Sequence, residues 1–205
     1  GAQGSLLDLV HGTYPYVTSS VTNVGGAVSS IGFDPRLISN VIGIAKVYLT
    51  RVGEGPFPTE QKNTIGSTIA EKGAEFGSTT LRPRRCGWFD CVSLRYANVI
   101  NGFNSIFLNK IDILTGFKEL KIATAYTHPT LGTIKTFPND PAILSQCTPV
   151  YKTLPGWSET LPKTGTLSDL PIEAQTYIKA IEEHCGISVS HIGTGPKRND
   201  YITCN

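Results

Sequence analysis

Ser105-Ile106-Phe107-Leu108 is a short apolar run with no polar alternation, the pattern of a strand buried on both faces. Such a strand needs a covering layer on each side, so it commits the chain to helices packed on a sheet. Residues 170–185 supply one layer. Asp169 stands as a cap, Pro171 lies near the start, Ala174, Tyr177, Ile178 and Ile181 form one stripe, and Gly186 is a stop. The next segment, Ile187-Ser188-Val189-Ser190-His191-Ile192, alternates like a strand and delivers Gly193-Thr194-Gly195-Pro196. Helices and strands therefore interleave. The expected fold is α/β, a mixed or parallel sheet flanked by helices, with ligands gathering at strand ends.

Other segments are coarser. Residues 34–49 predict a helix capped by Asp34, with Pro35 in its first turn and Leu37, Ile38, Val41, Ile42 and Ala45 at helical spacing. Residues 54–87 read as a long loop region with room for one short helix. Residues 88–101 predict a helix with Phe89, Val92, Tyr96 and Val99 on one side and Gly102 as its stop, and residues 119–137 predict a small antiparallel hairpin flap turning at 128–132. A chain of 205 residues with 21 Gly and 13 Pro fits one loop-rich unit. Its formal charge of +2 gives no global drive toward nucleic acid, so an anion site must be local. Cys86, Cys91, Cys147, Cys185 and Cys204 show no CxxC spacing, which predicts reduced thiols in a soluble, cytoplasmic protein, and no apolar run approaches a membrane span. The turn-like opening Gly1-Ala2-Gln3-Gly4 and the absence of Met lead us to expect an upstream part.

Asn109-Lys110-Ile111-Asp112 follows directly on the buried strand. Guanine presents two adjacent donors, N1–H and the 2-amino group, that one carboxylate such as Asp112 can accept together. Adenine would leave that carboxylate unpaired at a cost of roughly 1–3 kcal/mol. Lys110 would lay its aliphatic stem along the purine and Asn109 would tie down the loop. The same four residues would also serve as an ordinary surface pair; the strand-end position and the second glycine-rich strand-end loop at 193–196 favour a base site.

Gly77-Ser78-Thr79-Thr80-Leu81-Arg82-Pro83-Arg84-Arg85 concentrates three guanidiniums and three hydroxyls, a composition suited to carboxylate or phosphate. A solvated basic turn is the alternative. The hydroxyls of Gly12-Thr13-Tyr14-Pro15-Tyr16-Val17-Thr18-Ser19-Ser20 would bind a ribose or phosphate, or simply cap backbone. His11, His128, His184 and His191 share no metal-ligand spacing. No GxxxxGK[ST] phosphate loop occurs, so a phosphate cradle is not expected within these residues.

Taken together, Gly1-Ala2-Gln3-Gly4, Leu7-Asp8, residues 12–20, Thr50-Arg51-Val52-Gly53, Gly55-Pro56-Phe57-Pro58-Thr59-Glu60, Arg84-Arg85-Cys86-Gly87-Trp88 and Leu154-Pro155-Gly156-Trp157 closely resemble the adenylosuccinate synthetase family, in order and across nearly the whole chain. The resemblance implies a P-loop-NTPase-like sheet and a ligase that uses GTP and Mg2+ to join L-aspartate to IMP through a 6-phosphoryl intermediate. It implies that residues 1–205 are the C-terminal portion of a larger domain. The phosphate loop, general base, general acid and most magnesium ligands would lie upstream, so this portion alone would be inactive.

By the family's pattern, Gln3, Thr18, Val52 and Arg82 would bind IMP, and Gln3 would also support the transition state. Ser78, Thr79, Thr80, Leu81, Arg82, Pro83 and Arg84 would form the aspartate loop, within about residues 77–87. Arg84, Lys110, Ile111, Asp112, Gly193, Thr194 and Gly195 would hold GTP. A homodimer is implied for the whole enzyme, with an arginine of the neighbouring subunit reaching IMP. Leu81 where Gly is usual, Pro83 between the loop arginines, Val21 in place of Asn and Gly193 in place of Ser depart from the pattern. A β-carbon at position 81 would restrict a loop that needs positive φ there. A non-catalytic guanine-nucleotide-binding relative, or an interaction fragment, is the competing reading.

Overall fold

The computed structural model describes residues 4–77 and 82–204. In chain order, helix α1 (Val24–Ile31) precedes strands β1 (Ile42–Lys46) and β2 (Leu49–Arg51), helix α2 (Thr64–Lys72) and strands β3 (Arg85–Gly87) and β4 (Phe89–Asp90). Helix α3 (Cys91–Asn101), strands β5 (Ser105–Asn109), β6 (Glu119–His128) and β7 (Gly132–Ile134), and the one-turn helix α4 (Pro141–Leu144) follow. The last elements are β8 (Thr148–Pro155), α5 (Ile172–Cys185), β9 (Val189–Gly193) and β10 (Tyr201–Thr203).

The main sheet has the order β1-β5-β9-β10. Strand β5 lies between β1 and β9, parallel to both, and β10 is antiparallel to β9. Ile106 and Leu108, on one face of β5, are fully buried, whereas Phe107 on the other face is only half-buried, so the strand is not sealed on both faces as the apolar run predicts. Helix α5 covers this core through Ala174, Tyr177, Ile178 and Ile181, all buried, and the Tyr177 hydroxyl donates to the Val47 carbonyl at 2.6 Å. Gly186 ends α5 at φ 68 in the left-handed region. The helix begins at Ile172, later than the sequence implies, because Asp169 closes a capping box with Thr166 around a separate 3-10 turn, Leu167–Asp169.

The helix expected over 34–49 does not form. Asp34 does cap, accepting from the Arg36 amide at 3.0 Å, but it caps only the 3-10 turn Pro35–Leu37. Beyond it, Val41-Ile42-Gly43-Ile44 combines β-branched residues with glycine, poor helix formers that suit a pleated strand. Pairing from Ile42↔Ser105 through Lys46↔Asn109 then overrides the apparent helical spacing.

Residues 88–101 divide into β4 and α3, with Asp90 as the cap accepting from the amides of Val92 and Ser93. Cys91, Val92, Leu94 and Ala97 make the buried face, whereas Val99 is exposed. The antiparallel hairpin is present as β6–β7, with Tyr126 opposite Ile134. Its first strand extends back from the hairpin, away from the turn, as the middle of a second sheet, parallel to β4 and antiparallel to β8. Strand β8 escapes sequence reading because Pro149 and Pro155 break its pattern; an edge position tolerates them. No helix among the described residues is long and apolar enough to cross a membrane.

Candidate functional site

The parallel pairing of β5 with β9 sets Phe107 beside His191 and Leu108 beside Ile192, so the two strands deliver their following loops at the same edge. Asn109 and Gly193 meet there. A β-carbon on Gly193 would lie 2.3 Å from Asn109 Oδ1, so the absence of a side chain lets the loops touch. Asn109 Oδ1 also accepts from the Lys110 amide at 2.8 Å, which holds the turn into the 3-10 segment Ile111–Leu114. Ile111 is buried in the main core and anchors that turn, leaving Asp112 half-buried beside it. Among the described residues no donor engages the Asp112 carboxylate.

Thr194 is fully buried, and its hydroxyl donates to the Lys163 carbonyl at 2.7 Å. Lys163 Nζ returns a bond to the Thr194 carbonyl at 2.9 Å, and the Thr194 amide donates to the Asp200 carbonyl at 2.9 Å. Lys163 and Asp200 therefore shape the 193–195 loop, Gly195 lying against both, and neither stood out in the sequence.

The arginine-rich segment sits on a short antiparallel stem. Phe76 pairs with Pro83, the Gly77 amide donates to the Arg82 carbonyl at 2.8 Å, and the Arg84 amide donates to the Glu75 carbonyl at 2.9 Å. Ser78, Thr79, Thr80 and Leu81 fall outside the described residues, as does Gln3. Arg82 and Pro83 are exposed on the stem. The three guanidiniums have different fates. Arg85 forks onto Glu60 at 2.8 and 2.6 Å and donates to the carbonyls of Gly53 and Gly55, which makes it a clasp for the 53–60 segment. Hydrogen bonding from Arg85 holds the Glu60 carboxyl below its ordinary range. Arg84 instead lines a cavity.

That cavity, of about 590 Å3, is bordered by Lys46, Thr50, Val52, Phe57, Gly77 and Arg84 among others, with Asp90 and Ser93 deeper in the wall. It shares Leu6, Leu7, Lys46, Leu49, Thr50, Asp90 and Ser93 with a smaller one, of about 280 Å3. Val52 and Arg84 thus share one cavity, while the 109–112 and 193–195 loops lie outside both. Thr18 donates to the Leu7 carbonyl at 3.1 Å, so its hydroxyl serves the backbone, and the neighbouring segment is organised by buried Asp8. Asp8 accepts from the amides of Val10, His11 and Thr22.

Beneath the cavity lies Glu75, a fully buried carboxylate. It accepts from Lys46 Nζ at 2.8 and 2.9 Å, the Tyr48 hydroxyl at 2.6 Å, Arg84 Nη1 at 2.7 Å and Lys110 Nζ at 2.9 Å. Burial alone would raise its pKa, but these four donors outweigh burial and hold it at about 2. For Lys46 burial dominates, lowering its pKa against the pull of Glu75. Glu75 was missed because a lone acid carries no motif; the available signal was one carboxylate, at position 75, leading into a run of three arginines. Among the described residues no group of three or more His, Cys, Asp or Glu could hold a metal ion.

Comparison with known proteins gives the family. The family described as adenylosuccinate synthetase matches residues 1–202. The adenylosuccinate synthetase of Vibrio cholerae is 50% identical over 202 residues, 98% of this chain and 47% of that protein. That of Salinibacter ruber is 48% identical over 203 residues, 99% of this chain and 46% of its own. The structure of fully ligated adenylosuccinate synthetase from Plasmodium falciparum superposes with a TM-score of 0.95 at 41% identity, covering 99% of this chain and 49% of that one. The chain thus spans about half the length of the relatives it matches.

Proposed function

This chain belongs to the adenylosuccinate synthetase family, and on that premise we propose that it is the C-terminal portion of an enzyme that ligates L-aspartate to IMP at the expense of GTP. In the proposed reaction the γ-phosphoryl group of GTP passes to O6 of IMP, and the aspartate amine then displaces phosphate at C6. Such a transfer depends on positioning and on charge placed where the phosphoryl group develops it. This chain's part is to bind and orient. Asp112 accepts from the guanine N1–H and 2-amino group, with Lys110, Ile111 and the 193–195 loop around the base. Arg84 and the 78–83 segment take the anionic groups of GTP and aspartate, and Gln3, Thr18, Val52 and Arg82 hold IMP. The general base, general acid and phosphate loop are supplied from outside this chain, and the whole enzyme is a homodimer.

The observation that carries this reading is the meeting of Asn109 and Gly193 at the ends of two parallel strands, which sets both loops against one ligand position. The half-buried Asp112 carboxylate beside that contact supports guanine as the occupant. Ile42 and Ile44, exposed together on one face of β1, support a chain built to sit within a larger domain, since a sheet face carrying such apolar side chains is ordinarily covered. Turnover with GTP and ATP by the full-length enzyme, before and after Asp112→Asn, tests the base assignment. The substitution is expected to reduce the GTP preference by about tenfold or more, the loss of one bidentate contact. Equal preference in both proteins would refute the role of Asp112.

A further inference from the structure

Glu75 stands between the two parts of the site that the sequence treats as separate. On one side it holds Lys110, the second residue of the strand-end motif, whose Nζ also donates to the Gly73 carbonyl at 2.6 Å. On the other it holds Lys46 and Arg84, both of which line the 590 Å3 cavity. Lys46 extends the connection to Thr50 on the cavity wall, at 2.9 Å. One carboxylate thus serves three cations and a phenol, and its two oxygens are fully subscribed.

The backbone around this hub is also unusual. Among the described residues, the non-glycine positions with positive φ are Ala74, at 48°, and Lys110, at 65°. One precedes Glu75 directly and the other is its partner. Left-handed backbone at such residues is maintained only where the surroundings enforce it. A buried carboxylate with these partners cannot release one of them without leaving polar groups unsatisfied, so displacement on either side is transmitted to the other.

We propose that Glu75 is a positioning residue that couples base recognition at Lys110 to the cavity-lining cations Lys46 and Arg84, so that docking of the guanine base orders the wall on which Arg84 receives anionic groups. This rests on the function proposed above, in which Lys110 meets guanine and Arg84 takes anionic groups of GTP and aspartate. Neither Glu75 nor any atom of it need touch a substrate; it acts through the three cations.

The test uses the full-length enzyme and reads the KM for aspartate against the KM for GTP and kcat. Lys110→Met removes the base-side arm without altering the cavity. The expected result is a rise of about tenfold in the KM for aspartate, within the usual range of coupling between sites. Glu75→Gln is expected to raise the KM for GTP and for aspartate together, and Glu75→Asp to regain part of both. An aspartate KM that stays within about twofold of the parent in Lys110→Met overturns the coupling, whatever happens to thermal stability, and that variant decides the matter if Glu75→Gln does not fold. A parent enzyme that forms no adenylosuccinate from GTP, IMP and aspartate would instead overturn the functional reading, a distinct outcome.

Discussion

Two buried carboxylates in this chain titrate in opposite directions, and each has a consequence for pH. Burial pushes Asp90 up to about 6, against the pull of the Tyr126 hydroxyl and the Ser93 and Val92 amides. Its folded pKa is above the ordinary value of 3.8, so its favourable contribution is complete below that value and fades as pH rises through about 6. Tyr126→Phe removes one donor from the ionised carboxylate and extends that window upward. The expected loss is about 1–3 kcal/mol, larger at pH 8 than at pH 5, as measured by chemical unfolding at both values. A loss independent of pH would show that Asp90 is not the group concerned. For Glu75 the sign reverses. Its pKa is held at about 2 against an ordinary 4.5, so its contribution is present above 4.5 and is lost as pH falls toward 2. Unfolding of the parent below pH 4 should accordingly be steeper than that of Glu75→Gln.

At the scale of elements, the close approaches explain motifs that carried resemblance without a visible reason. Leu154-Pro155-Gly156-Trp157 is one. Gly156 donates to the Lys118 carbonyl at 2.9 Å, and a β-carbon there would lie 1.8 Å from the Phe117 carbonyl oxygen. The Gly116 amide then donates to the Trp157 carbonyl at 2.7 Å, and the indole donates to Thr115 at 3.0 Å, which locks the end of β8 onto the start of β6. Gly156→Ala must push backbone apart. It is expected to cost about 1–3 kcal/mol and to lower Tm by several degrees, and an unchanged Tm would contradict the close approach.

The same scale shows why the sequence was legible in some places and not others. Strand β5, helix α5 and strand β9 could be read because burial, stripe and stop residues all agreed. The 34–49 segment misled because its apolar spacing satisfied a helix while its β-branched residues and glycine suited a strand, and pairing with β5 decided between them. The motif 109–112 and the loop 193–195 were visible as local patterns. Their contact through Asn109 and Gly193 was not, because it depends on strands 84 residues apart in the chain, as Ile106 and Ser190 are. Glu75 and Lys163 were invisible for the same reason: Glu75 pairs with Lys46, Tyr48 and Lys110, and Lys163 with Thr194, all distant in sequence.

For the whole molecule, the division of labour is the central claim. The described residues hold two strand-end loops that meet through Asn109 and Gly193, a cavity with Lys46 and Arg84 on its wall, and a buried carboxylate joining Lys110 to that wall. The residues of this chain match adenylosuccinate synthetases along almost their full extent while spanning under half of the relatives' length. A chain with binding groups but no phosphate loop should bind without catalysing. The most direct measurement is adenylosuccinate formation from GTP, IMP and L-aspartate, followed in parallel for the full-length protein and for residues 1–205 alone. The account predicts product from the full-length protein and none from the isolated chain. Product from the isolated chain at a comparable rate, or none from the full-length protein, would contradict it.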